Sequence, residues 1–147
     1  MKFEPLDRAL ILTKEKAAAR QVQFAIGALL SGDYDAAITL AGAAEDMLPG
    51  DPTIEVTTTL LRDEMAVTEL GRSFWINAVN IERNWLKHRT EYWSNSFEFT
   101  LENTPFYIFR AMRKLPLSEI TGEMIEFEEW YRTYLLEQND QRPRESS

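Results

Sequence analysis

The rhythm of apolar residues over positions 14–48 constrains this chain most. Ala18, Val22, Ala25, Ile26 and Leu29 recur at helical spacing in KEKAAARQVQFAIGALL, the pattern that lines one face of an amphipathic helix. Thr13 stands where it can cap that helix, and Ser31-Gly32 supplies a stop. Asp33 is then placed as the N-cap of YDAAITLAGAAEDML, where Ala37, Leu40, Ala41, Ala44 and Leu48 form a narrow stripe of mostly small residues. Small side chains let a neighbouring helix approach closely. Pro49-Gly50-Asp51-Pro52 ends the segment.

The same punctuation continues downstream. Asp51 caps again with Pro52 at the first helical position, and TIEVTTTLLRDEMAVTEL runs to Gly71, its start weakened by a run of β-branched threonines. SFWINAVNIERNWLKH places Phe74, Ala78, Ile81 and Trp85 on one side, with Trp75, Val79 and Leu86 beside them. From Arg89 to Asn103 the helical period is lost and a loop is expected, with a short extended piece at Phe97 to Leu101. Thr104-Pro105 opens PFYIFRAMRKL, which ends before Pro116. Thr121 opens GEMIEFEEWYRTYLLEQ, whose early acids suit a helix N-terminus and whose inner face is Met124, Phe127, Tyr131 and Tyr134 or Leu135. Strand alternation and glycine-rich phosphate loops are both absent. The expectation is an all-α protein, a single helical bundle of five to six helices over residues 1–138, with NDQRPRESS (139–147) as a tail.

Composition narrows the function. A chain of 147 residues is of single-domain size and hides roughly 68–70% of its unfolded surface. It contains no cysteine, which excludes disulfides, thiolate zinc sites and a cysteine nucleophile, and fits a cytoplasmic protein. The start shows no signal peptide, and no stretch approaches the roughly 18 apolar residues of a membrane span. A net charge of −8 argues against nucleic-acid binding through the overall field, since phosphate affinity comes from clustered Lys and Arg. RNA contacts would be local, at Arg83, Lys87, His88 and Arg89 or at Arg110, Arg113 and Lys114. Solvated helix faces explain both clusters without RNA and are the expected reading.

ERNWLKH holds the only histidine. Asn84 and His88 are four apart and share a helix face, while Arg83 lies about 100° round from Asn84. At a frayed or bent helix end the three side chains can converge. Imidazole is suited to proton transfer near neutral pH, arginine holds phosphate with its planar fork, and asparagine can orient the ring or a ribose hydroxyl. Together they fit metal-free attack of a ribose 2′-hydroxyl on the adjacent phosphorus, with His88 moving the proton and Arg83 stabilising the developing charge. Lys87 and Arg89 are placed to bind the substrate backbone. One histidine per chain is short of an acid and base pair, and a twofold homodimer would supply the second.

Arg83, Asn84 and His88 resemble the motif of the HEPN domains: an Arg, a polar residue that is often Asn, and a His after four to six intervening positions. The Ala-rich GDYDAAITLAGAAEDML also looks like the helix such domains place ahead of the motif. The resemblance implies an all-α fold and a metal-independent endoribonuclease of toxin or defence type. It further implies a homodimer-assembled site and, in some members, a nucleotidyltransferase antitoxin as partner. No cofactor and no metal are implied.

Other features fit different classes. Without the HEPN context, Arg83, Lys87, His88 and Arg89 complement the dipole of a helix C-terminus. GDYDAAITLAGAAEDMLPGDP is also similar to one tetratricopeptide helix pair, which would make the chain a non-catalytic interaction module, although no second copy follows Asp51. Tyr92 and Trp93 offer an aromatic surface for base stacking, against core and dimer-contact roles for the tryptophans. Glu123, Glu126, Glu128 and Glu129 read as a solvated acidic face, since the Glu-x-x-His pattern of bundle di-iron sites is absent.

Overall fold

Thr13, in extended backbone, accepts a hydrogen bond from Lys16 N at 3.1 Å and so satisfies one of the donors that a helix start leaves open. It opens α1, Lys14–Leu30, in a computed structural model that describes residue 2 and residues 4–50, 80–88 and 94–140. Gly32 follows with φ 78°, a left-handed conformation that glycine adopts without steric cost. The chain then turns into α2, Tyr34–Met47. Asp33 is its N-cap by position, and its carbonyl accepts from Ala37 N at 3.0 Å, but its side chain makes no capping bond.

The two helices bury the faces that their spacing predicts. Ala18, Val22, Ala25, Ile26 and Leu29 meet Ala37, Ile38, Ala41, Ala44 and Leu48 in one core. Ile38 is fully buried while Leu40 is only partly covered, so the large core residue of α2 stands two positions before the expected one. Burying a side chain of that size contributes about 1.5–3 kcal/mol.

The described residues carry three more α-helices: α3, Ile81–Lys87; α4, Thr104–Met112; and α5, Gly122–Asp140. A 3-10 turn at Leu117–Glu119 precedes α5. No strand occurs among the described residues, and the architecture is an all-α bundle. α4 lays Tyr107, Ile108, Ala111 and Met112 on α1 and α2, and α5 adds Met124, Phe127 and Tyr131. Thr121 Oγ1 caps α5 by accepting from Met124 N at 3.3 Å. Thr104 Oγ1 donates to Thr100 O at 2.7 Å, which ties the entry of α4 to the segment before it.

That segment is irregular. Phe97 and Phe99 fold back on Trp85 of α3, with ring centroids 5.8 and 5.9 Å away, and Trp85 Nε1 donates to Ser94 O at 2.9 Å. The helix expected from Pro52 to Gly71 lies outside the described residues. So do Phe74, Trp75, Ala78 and Val79 of the fourth segment, Arg89, Tyr92, Trp93, and residues 141–147. No described helix is long and apolar enough to cross a membrane.

Candidate functional site

Gly42, Glu45 and Asp46 stand three and four residues apart near the end of α2, so they share one face. That face meets α3 and α4. Gly42 has no side chain, and Arg83 of α3 lies across the gap. A Cβ on Gly42 would meet Arg83 Nε at 2.6 Å and its Cδ at 3.0 Å. Arg83 Nη2 donates to Gly42 O at 3.1 Å and pairs with Asp46, and Nη1 is 4.0 Å from Glu45 Oε2. The guanidinium is therefore held by α2 rather than extended into solvent.

Arg110 of α4 reaches the same acid from the other side. Its Nη2 and Nε donate to Glu45 Oε1 at 2.8 and 3.2 Å, and Nη1 donates to Asn80 Oδ1 at 2.7 Å. Lys114 Nζ donates to Glu45 O at 3.1 Å and stands 3.5 Å from Leu48 O. These are carbonyls at the C-terminus of α2, where a cation complements the open acceptors and the helix dipole. Glu45 Oε2 itself is buried and accepts no hydrogen bond.

Glu82 is the buried residue of α3, only 6% exposed, and Tyr107 OH donates to its Oε2 at 2.6 Å. Burial, then the hydrogen bond to Glu82 and the carboxylate's charge, push the Tyr107 hydroxyl well above its ordinary value. For Asp46, partial burial acts upward. The hydrogen bond from Arg83 and the charges of Arg83, Lys87 and Lys114 outweigh it and hold the carboxyl below its usual range.

The motif residues are distributed unevenly around this cluster. His88 is the C-cap of α3 in extended backbone, exposed, with its own N–H donating to Asn84 O at 3.0 Å. Asn84 is half-buried. Lys87 is exposed, and its Nζ lies 3.8 Å from Asp46 Oδ2. Among the described residues no side-chain hydrogen bond joins Arg83, Asn84 and His88. Arg83 turns inward to α2, and His88 stands at the open end of its helix. A groove of about 230 Å³ between α2 and α3 is lined by Thr39, Ala43, Asp46, Arg83, Leu86 and Lys87, and of the three motif residues only Arg83 reaches it.

Within the two basic clusters, Lys87, His88 and Arg113 are exposed as a solvated face requires, whereas Arg83 and Arg110 turn inward. Arg83 and Arg110 have side chains only 15% exposed, and Arg113 pairs with Glu128 at 3.2 Å while lying over the Phe109 ring. The reason is the acidic pair Glu45-Asp46, which the small-residue stripe of α2 brings within reach. Among the described residues no group of three or more metal-ligating side chains occurs. Known protein families, curated proteins and solved structures were compared with the chain, and none matches.

Proposed function

We propose that the chain is a HEPN-like protein acting as a metal-independent endoribonuclease, its site completed by a second copy of the chain. The observation that carries this reading is the placement of its one histidine. His88 ends α3 exposed and in extended backbone, next in sequence to Lys87, which with Arg83 lines a groove against α2. An imidazole so placed is open to substrate and to the matching helix end of a twofold partner. His88 would move the proton of the attacking 2′-hydroxyl, Arg83 and Lys87 would face the phosphate, and Asn84 would orient the ring or the ribose. Arg89 would extend the backbone contact.

A second reading, a non-catalytic helical interaction module, is favoured by the occupied guanidinium of Arg83, which already serves Gly42 O and Asp46. Cleavage of RNA in excess EDTA by wild type and His88→Ala, with light scattering on both, separates the two. The nuclease reading expects a dimer whose activity falls at least about a hundredfold in a mutant that still dimerises. Equal background from both proteins, or a monomer, would leave the interaction module.

A further inference from the structure

Two cations on one face of α3 converge on a single carboxylate. Arg83 and Lys87 are four apart, hence on the same side of the helix, and both approach Oδ2 of Asp46, Arg83 through Nη2 and Lys87 with Nζ at 3.8 Å. A fork donor and a point charge around one anionic oxygen is the arrangement that proteins use to hold a phosphate. The groove in front of them is also lined by Thr39. We infer that Arg83, Lys87 and Thr39 form a phosphate seat, and that the Asp46 carboxylate occupies it as an internal competitor that a phosphate-bearing ligand must displace. This deepens the RNA-cleaving reading above, on which its substrate class rests.

The local charge supports the assignment. Among the described residues around the end of α2, the cations Arg83, Lys87, Arg110 and Lys114 outnumber the carboxylates Glu45, Asp46 and Glu82 by four to three, in a chain whose net charge is −8. Glu45 is tied to Arg110 and Glu82 to Tyr107, and both are buried. Asp46 is different, since its side chain is 56% exposed. It can swing into water with its own charge already half solvated, and Arg83, 15% exposed, keeps Gly42 O and the Glu45 carboxylate 4.0 Å away as partners; a pair with one end in solvent is weakened by screening. Arg83 would meanwhile stay seated over Gly42 through its bond to Gly42 O.

The test measures anisotropy of a short labelled oligouridylate at low ionic strength, and calorimetry with inorganic phosphate, in a His88→Ala background so that the RNA persists. Asp46→Asn keeps the side-chain volume and removes the competitor. It is expected to tighten binding about fivefold, the upper range for releasing an exposed pair. Asp35→Asn, at an exposed position of the same helix, makes the same change in net charge and should leave affinity unchanged. Adding Lys87→Gln to Asp46→Asn should reverse the gain. Tightening confined to inorganic phosphate would keep the seat and assign it to a free phosphate ligand instead of RNA. Equal effects of Asp46→Asn and Asp35→Asn, or none from either, would overturn the proposal. A gain in binding without cleavage by the His88-intact protein would sink the nuclease and leave the seat, whereas cleavage with no gain from Asp46→Asn would do the reverse.

Discussion

Replacing Gly42 by alanine should change sign with its surroundings. In a helix interior, Gly→Ala ordinarily stabilises by about 1 kcal/mol. Here the three atoms nearest the new Cβ all belong to Arg83, the closest at 2.6 Å, so the arginine must leave its place. It would lose the charged hydrogen bond to Gly42 O, worth about 1.5–3 kcal/mol, and the pairing with half-exposed Asp46, worth at most about 1 kcal/mol. The net expectation is a loss of about 0.5–3 kcal/mol, or roughly 2–9 °C in Tm for a chain of this size. In an Arg83→Ala background the obstruction is gone, and Gly42→Ala should stabilise by about 1 kcal/mol. Urea unfolding followed by far-UV circular dichroism on the four proteins of this cycle reads the reversal directly. A Gly42→Ala that stabilises equally in both backgrounds would refute the seating of Arg83 across α2.

Tyr107→Phe leaves the buried Glu82 carboxylate without the hydroxyl that donates to it and should cost about 1–3 kcal/mol in the same unfolding assay. The wild type should also lose stability above about pH 10. There the unfolded phenol ionises while burial and Glu82 keep the folded one protonated, so the stabilisation is complete below that pH and declines above it; Tyr107→Phe should flatten this part of the profile, and an unchanged slope would disprove the link. Ile38→Ala, at a side chain with no exposed surface, should cost about 2–5 kcal/mol, whereas Leu40→Ala, at a partly covered neighbour, should cost clearly less; equal losses would contradict the core described for α2.

Helix ends were readable because they rest on local chemistry. Thr13, Gly32 and Thr121 act within three or four residues of themselves, and their roles are visible in the spacing of a single strip of sequence. The inner faces of α1 and α5 follow equally from periodicity, with Met124, Phe127 and Tyr131 buried as their positions imply. The polar cluster was less legible, because Arg110 meets Glu45 across 65 residues and Lys114 meets it across 69. Periodicity says that Glu45 falls near the apolar stripe of α2 but not which cation will neutralise it. Gly42 posed a similar problem: it lies off the small-residue stripe read from the sequence, and its missing side chain makes room for one arginine from another helix. The motif Arg83, Asn84 and His88 was legible as a spacing. The direction in which each side chain turns was not, since that depends on the acids of another helix.

α3 has only seven residues, fewer than the roughly 12–15 at which an isolated helix becomes even marginal in water. Its persistence is borrowed from Arg83 on one side, Glu82 on another, and the Trp85, Phe97 and Phe99 rings at its end. Such an element belongs to the low end of the local stability scale, and it should exchange its amide hydrogens before the α1–α2 pair that shares the apolar core. His88 therefore rides on a short helix whose hold on the bundle depends on a few side-chain contacts. Anything that grips α3, whether a second subunit or an anionic ligand, would order this end of the molecule as it binds, and the free energy of that ordering would be subtracted from its measured affinity.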